Sequence, residues 1–147
     1  MKFMIRLCGE SMKHFKLIEH TADIRLYVEA TTYEELFATA LQGMASIICS
    51  HDATLNNDQR GEIRIESQDI TTLLIDFLSE VLTRVQTDKV LFCSVTFLKF
   101  TQTMMHARLE GFNVDHFDED IKAVTYHEAE VKKNNRGNYE TIIVFDV

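Results

Sequence analysis

The sequence predicts an α+β fold: a single compact domain in which two helices pack on a largely antiparallel β-sheet system. Two segments carry the 3.6-residue apolar period of amphipathic helices, and short runs elsewhere have the two-residue period of strands. The elements follow the order strand, strand, helix, strand, helix and four strands, which favours an α+β domain over alternating β-α-β units. With 147 residues, the chain is long enough to bury one substantial core.

The first helix follows two predicted strands, at residues 15–19 and 24–30. In the second strand apolar and polar side chains alternate, so one face is predicted to be buried. Thr32 and Glu35 have the spacing of a capping box, which marks the start of a helix. The apolar stripe of this helix comprises Leu36, Phe37, Ala40, Leu41, Met44, Ile47 and Ile48.

The second helix has the strongest periodic signal in the chain. A polar loop at residues 51–60 and a short strand at residues 61–67 precede it, and Asp69 or Ser67 can cap its N-terminus. Its apolar stripe comprises Ile70, Leu73, Leu74, Phe77, Leu78, Val81, Leu82 and Val85. We therefore expect this helix to lie at the centre of the core.

Strands account for the rest of the chain. They are predicted at residues 90–101, 104–111, 121–132 and 139–147. Turn-forming residues at 134–138 separate the last two.

The composition limits the choice of partners. The formal net charge of −8 means that most of the surface repels a phosphate backbone, so a basic protein is a better partner than nucleic acid. No apolar run is long enough to span a membrane, and no signal peptide is recognisable. The three cysteines show no Cys-x-x-Cys spacing, which argues against a disulfide framework and a zinc knuckle and favours a reducing cytoplasm.

The two ends of the chain carry acidic residues that predict a metal site. Residues 19–24 lack the Gly, Asn or Pro of a simple turn, so Asp23 is interpreted as opening a strand and facing a cation. Asp146 ends an apolar row, where an ionised carboxylate is costly unless paired, and the carboxylate of Val147 lies beside it. Neighbouring carboxylates repel unless a cation intervenes, and oxygen ligands suit Ca²⁺, Mg²⁺ or Mn²⁺. The alternative is that Asp146 caps a strand end at the surface.

Lys122 is an isolated cation in a predicted strand. Apolar or small residues on both faces, at Ala123 and Val124, predict that this strand is internal. Lys122 either balances the carboxylates, contacts a phosphate, or extends its ammonium group into water. His20 or His127 could ligate a metal, although a single histidine near a strand end is more often hydrogen-bonded in the core or at the surface.

No other stretch indicates a catalytic site. The acidic residues 115–120 lack the glycine and the final glutamate of an EF-hand, so they are interpreted as a solvated loop that could mark a face for a basic partner. The sequence contains no P-loop, no Gly-x-Ser-x-Gly and no His-Glu-x-x-His.

Four segments, taken in order, resemble signature segments of the archease family. They are residues 19–24 with 33–37 and Ala40, residues 73–80, residues 122–127 and residues 144–147. The similarity extends from about Lys13 to the end of the chain, and four ordered segments are more specific than any one alone. It implies an archease-like domain at residues 13–147, preceded by an extension at residues 1–12 that has no counterpart in the family.

The resemblance implies an accessory protein, not itself an enzyme, that activates the GTP-dependent tRNA-splicing RNA ligase. Such an activator promotes guanylylation of the ligase histidine, restores multiple turnover and broadens nucleotide use. Carried over residue by residue, the metal site of the family falls on Asp23, Asp146 and Val147, and a functional lysine falls on Lys122. Calcium is the first expectation for the metal, with magnesium or manganese as alternatives. The family often has Ile where Val147 stands and commonly has Trp where Phe77 stands.

Two other functions stay open at this point. One is a chaperone-like binding module or a modulator of RNA-modifying enzymes. The other is a metal-dependent hydrolase with Asp23 and Asp146 as ligands, although the sequence shows neither an obvious general base nor a second acidic cluster.

Overall fold

The computed structural model describes residues 2–6, 14–19, 23–50 and 58–147. The strands are β1 (Lys2–Arg6), β2 (His14–Glu19), β3 (Asp23–Ala30), β4 (Gln59–Glu66), β5 (Val90–Phe100), β6 (Met104–Asn113), β7 (Ala123–Thr125), β8 (Lys132–Lys133) and β9 (Tyr139–Asp146). The helices are α1 (Tyr33–Ile48) and α2 (Ile70–Asp88). Of the polar loop predicted at residues 51–60, residues 51–57 lie outside the described ranges, and Gln59 and Arg60 belong to β4.

All described strands pair antiparallel, in two sheets. The larger sheet has six strands in the order β1-β2-β3-β9-β7, and β8 also pairs with β9. Since β3 occupies one side of β9, β7 and β8 share the other side. The smaller sheet has the order β4-β6-β5.

The two helices lie between the two sheets. Helix α1 packs on β3 of the larger sheet and on β5 of the smaller one, and α2 packs on β7, β4 and β5. The apolar stripes of both helices are buried except for Ile70, which is partly buried at the start of α2, and core residues such as Leu26 and Phe145 come from the larger sheet. The predicted α+β class with two helices on antiparallel sheets is confirmed, and the sheets enclose the helices from both sides.

Side-chain caps begin both helices as the sequence indicates. The Thr32 hydroxyl accepts a hydrogen bond from the Glu35 amide at 3.1 Å, although the Glu35 carboxylate accepts from the Thr31 hydroxyl instead of closing a full capping box. The Asp69 carboxylate accepts from the Thr72 amide at 2.8 Å, so Asp69 and not Ser67 caps α2.

The prediction of one continuous internal strand at residues 121–132 is wrong. Only β7 and β8 within this stretch are extended, and both lie at an edge of the larger sheet. Between them the chain turns at Glu128, whose φ of 63° lies in the left-handed region. The amide of Glu130 donates to the Thr141 hydroxyl at 3.1 Å, where a continuous strand would use a backbone acceptor. Of the two residues that predicted an internal strand, only Val124 is buried in the core beside α2, whereas Ala123 on the other face is half-buried.

Strand β1 lies within residues 1–12, the stretch predicted as an extension. It pairs with β2 over five residues and forms one edge of the larger sheet. The sequence predicts no strand or helix in this stretch, so β1 is an addition to the predicted fold.

Replacing Gly111 with alanine tests the closest backbone approach in the smaller sheet. A Cβ atom at Gly111 of β6 would lie 2.0 Å from the carbonyl oxygen of Leu91, next to a register shift in β5. Because backbone atoms must move to relieve this overlap, we expect Gly111→Ala to lower the free energy of unfolding by about 2–3 kcal/mol or more. Denaturant unfolding measures the loss.

Arg108→Ala, at an exposed site on the same strand, serves as the control and should change stability by no more than about 0.5 kcal/mol. Equal stability of Gly111→Ala and the parent protein would contradict the close approach.

Candidate functional site

Asp23 and Asp146 lie directly opposite each other at one end of the β3–β9 ladder. Asp23 opens β3 and Asp146 ends β9, and these two ends meet because the strands are antiparallel. Opposite residues in such a pair share a sheet face, with Cβ atoms about 4.5–5.5 Å apart. The sheet therefore brings together the two acidic side chains that the sequence predicts as metal ligands.

The carboxylate of Asp23 has an unsatisfied oxygen. Its Oδ1 atom is buried and accepts no hydrogen bond from any described residue, whereas the side chain of Asp146 is exposed. A buried acceptor without a donor costs about 1–3 kcal/mol, and more if it is charged. A cation bound between Asp23 and Asp146 would remove this penalty.

Lys122 and Val147 lie beside the acidic pair. The Lys122 amide donates to the Asp146 carbonyl oxygen at 2.7 Å, and Ala123 pairs with Asp146 in the β7–β9 ladder. The Lys122 side chain is exposed and has no ion pair in the described part of the chain. Val147 is half-buried against the core. All four predicted site residues therefore meet at one corner of the larger sheet, which we call the acidic corner: Asp23, Lys122, Asp146 and Val147.

The acidic corner fits a hard divalent cation but supplies only part of its coordination shell. Carboxylate and main-chain oxygens are the ligands that Ca²⁺, Mg²⁺ and Mn²⁺ prefer. The described residues contain no group of three or more His, Cys, Asp or Glu side chains that could hold a metal, and the predicted set has only two such side chains. Because Ca²⁺ takes about six to eight oxygen ligands, most positions would be left to water or to oxygens of another molecule.

An ion pair that the sequence did not predict covers the sheet face next to the acidic corner. Arg25 donates Nη1 to Oε1 of Glu128 at 2.8 Å and pairs with the other carboxylate oxygen through Nη2. Arg25 lies opposite Val144 of β9, which is only 3% exposed although it faces away from the helices. The Arg25–Glu128 pair thus holds the turn after β7 over β9. An arginine among the polar residues of a strand gives no signal of such a partner.

Asp76 joins α2 to the segment that carries Lys122. Its carboxylate accepts hydrogen bonds from the Tyr126 hydroxyl and, at 2.7 Å, from the Ser67 hydroxyl. The hydrogen bond to Asp76, and then burial, raises the pKa of Tyr126. Tyr126 therefore stays a donor and keeps the segment against the helix. An acidic residue at the border of the apolar stripe of α2 is the signal that could have identified this contact.

Glu29 is a fully buried carboxylate on the polar side of β3. It accepts hydrogen bonds from the amide groups of Asn134 and Asn138, at 2.6 and 3.0 Å, and from the Tyr27 hydroxyl at 3.2 Å. Arg136 donates Nε at 2.9 Å and Nη2 at 2.8 Å. Burial raises the pKa of Glu29, but the hydrogen bonds from Asn138, Asn134 and Arg136 outweigh it and hold the pKa below the usual 4.5. The predicted turn at residues 134–138 is thereby fixed on β3.

The remaining candidate residues do not join the acidic corner. His127 is exposed, with Nε2 3.7 Å from Oε2 of Glu128, and His20 lies outside the described residues. In the acidic segment 115–120, the Asp118 carboxylate accepts from the Ser50 amide at 2.8 Å, and most of the segment is exposed as predicted for a solvated loop. Neither helix in the described part of the chain is both long and apolar enough to cross a membrane.

Comparison with protein families and relatives gives one consistent result. Residues 15–147 match the family model described as the Archease protein family (MTH1598/TM1083). "Protein archease" of Methanosarcina mazei is 30% identical over 143 residues, which cover 92% of this chain and 97% of the relative. "Protein archease" of Methanopyrus kandleri is 34% identical over 125 residues, which cover 80% of this chain and 89% of the relative.

Two solved structures have the same fold. The solution structure of protein 1598 from Methanobacterium thermoautotrophicum superposes with a TM-score of 0.73 at 22% identity, covering 89% of this chain and 96% of that one. The crystal structure of an archease from Thermotoga maritima, described as a possible chaperone, gives a TM-score of 0.61 at 20% identity and covers 88% and 94%.

Glu29→Gln tests the buried carboxylate through its pH dependence. Because the pKa of Glu29 in the folded protein is below 4.5, its stabilising effect is fully present above that pH and is lost as the pH falls toward the folded-state pKa. We expect Glu29→Gln to lower the free energy of unfolding by about 1–3 kcal/mol near neutral pH. The difference from the parent should shrink in acid. Urea unfolding across this pH range measures both effects.

Glu34→Gln, at an exposed position in α1, removes the same charge and should leave the pH profile nearly unchanged. A constant difference between Glu29→Gln and the parent at all pH values would contradict the assigned role.

Proposed function

Because the chain belongs to the archease family, we propose that it is an accessory protein that activates a GTP-dependent tRNA-splicing RNA ligase. In this role it promotes guanylylation of the ligase's active-site histidine and supports multiple turnover, without catalysing a reaction of its own. The observation that carries the proposal is the acidic corner, where Asp23 faces Asp146 and keeps a buried oxygen without a donor.

The acidic corner would hold a divalent cation through the carboxylates of Asp23 and Asp146 and a main-chain oxygen of Val147. Calcium is the first candidate, with magnesium or manganese as alternatives. When bound, the cation supplies a concentrated positive charge that phosphate oxygens can approach. The exposed ammonium group of Lys122 adds a second positive charge at the same corner. Together these groups would orient nucleotide phosphates or the metal of the ligase at the docked surface, which is a positioning and electrostatic role.

The charge of the whole chain supports docking to a basic protein. With a net charge of −8, the chain is attracted to a partner whose own surface binds RNA, and such complementary charge raises the rate of encounter. The same charge disfavours direct binding of nucleic acid.

A chaperone-like binding module is the second candidate function. The observation that favours it is the similar Thermotoga maritima structure, whose protein is described as a possible chaperone. Capture of this chain's partners from lysate separates the two functions, because an activator should recover the RNA ligase selectively and a chaperone should recover many unrelated proteins.

Calcium titration tests the cation site independently of any ligase. We expect calcium to bind the parent protein and to raise its melting temperature, because ligands that bind only the folded state stabilise it. Asp23→Asn and Asp146→Asn should each remove most of this effect, whereas Asp88→Asn, which alters an exposed acid at the end of α2, should not. Calorimetry and thermal unfolding measure the two responses.

Competition with magnesium and manganese in the same titration identifies the preferred ion. Undiminished calcium binding by both Asp23→Asn and Asp146→Asn would rule out the acidic corner as the site.

A ligation assay with limiting ligase tests the activator function. Adding this protein should increase the RNA joined per ligase molecule, because multiple turnover is supported. Asp23→Ala, Lys122→Ala and Asp146→Ala should abolish the stimulation while their circular dichroism spectra remain native. Asp88→Ala should stimulate like the parent. Normal stimulation by all three acidic-corner variants would disprove the mechanism.

A phosphoesterase assay without any ligase tests the remaining alternative, a metal-dependent hydrolase. Hydrolysis of phosphoesters by the purified protein alone, lost in Asp23→Ala, would favour that alternative over the activator.

A further inference from the structure

Strand β4 forms a long and regular open edge in the smaller sheet. It pairs with β6 over eight residues without a register shift, and no described strand pairs with its other side. The opposite edge strand, β5, is interrupted by two register shifts, and β7 and β8 at an edge of the larger sheet have three residues and two residues. A regular, unpaired edge of this length is a template for pairing with another strand.

The backbone groups of alternate β4 residues point toward this open edge. The Ser67 amide donates to the Thr103 carbonyl at 2.8 Å and continues the β4–β6 register, so odd-numbered residues bond to β6. In an antiparallel ladder the intervening residues then direct their amides and carbonyls outward. The Glu62 carbonyl accordingly accepts from Nη2 of Arg84 at 2.9 Å. A new strand must displace this contact, whereas Arg84 would keep its 3.0 Å contact with Glu80.

The side chains of β4 are complementary to a second copy of themselves. Residues 60–66 read Arg-Gly-Glu-Ile-Arg-Ile-Glu, and the charged members are exposed. When two such strands run antiparallel with Ile63 opposite Ile63, Arg60 faces Glu66 of the second copy and Glu62 faces its Arg64. Each pair occurs twice because of the twofold symmetry. The outward amides and carbonyls of these same four residues would form the hydrogen bonds between the two copies.

The charges also select one register. A shift of two residues in one direction places Arg60 opposite Arg64 and Glu62 opposite Glu62. A shift in the other direction places Glu62 opposite Glu66 and Arg64 opposite Arg64. Like charges directly opposite each other are destabilising in a sheet, so only the register centred on Ile63 pairs every charge with its opposite.

We propose that β4 is a self-association surface, at which two copies of this chain form a symmetric dimer by antiparallel β4–β4 pairing centred on Ile63. The interface is isologous, and it joins the two smaller sheets into one continuous sheet. Strand pairing alone buries little area, so the dimer is weak, with a dissociation constant roughly in the range of tens of micromolar. The acidic corner lies on the larger sheet and takes no part in it.

Charge reversal tests the surface and its register together. Sedimentation equilibrium of the full chain should show a concentration-dependent dimer. Glu62→Lys and Arg64→Glu, made singly, each place like charges opposite each other and should weaken the dimer about tenfold or more. The double variant Glu62→Lys/Arg64→Glu restores opposite charges across the same pairs and should recover most of the parent affinity.

Lys99→Glu, on β5, makes the same charge change as Arg64→Glu at the opposite edge of the sheet and should leave the dissociation constant unchanged. Thermal unfolding of dilute samples verifies that each variant is folded. Three results would overturn the proposal. The chain could remain monomeric at roughly millimolar concentration, or it could form a dimer whose dissociation constant neither single variant changes. The double variant could also form a weaker dimer than either single variant.

Discussion

The antiparallel pairing of β3 with β9 is the constraint on which the rest of the structure depends. Its eight residue pairs place the buried side of each strand against the helices and leave the other side for polar contacts. The same ladder fixes Asp23 opposite Asp146 at one end and brings Glu29 opposite Glu140 at the other. Because β7 and β8 both pair with β9, the segments that carry Lys122 and Arg136 depend on this pairing as well.

Two carboxylates on the same face of β3 have very different hydrogen-bonding environments. Glu29 is fully buried and surrounded by donors from one turn, so its charge is stabilised within the protein and holds that turn in place. Asp23 has a buried oxygen for which the described residues provide no donor. A satisfied carboxylate can serve the fold alone, whereas an unsatisfied one is suited to a ligand from outside. This contrast is the reason why we propose the acidic corner, and not the Glu29 cluster, as the functional site.

The helices and most strands could be predicted because their signals are local. The stripe of α2, its cap at Asp69 and the alternation in β3 each depend on residues within a few positions of one another. The break between β7 and β8 could not be predicted, because no local pattern shows that Glu128 contacts Arg25, 103 positions away, or that the amide of Glu130 contacts Thr141, 11 positions away. The four residues of the acidic corner were named from the sequence, with the family resemblance adding Lys122 in its functional role. To predict that these four residues lie close together, one needs the order of the strands in the sheet, and no local sequence pattern contains that order.

The position of β9 in the larger sheet has a consequence for the newly made protein. This strand is the last described element to leave the ribosome, yet it lies between β3 and the β7–β8 edge. Until it emerges, β3 can pair with β2 but its other edge is open, and an open strand edge favours aggregation in slow-folding chains. A chain truncated before residue 139 would therefore lack both the β3–β9 ladder and the carboxylate of Asp146 that faces Asp23.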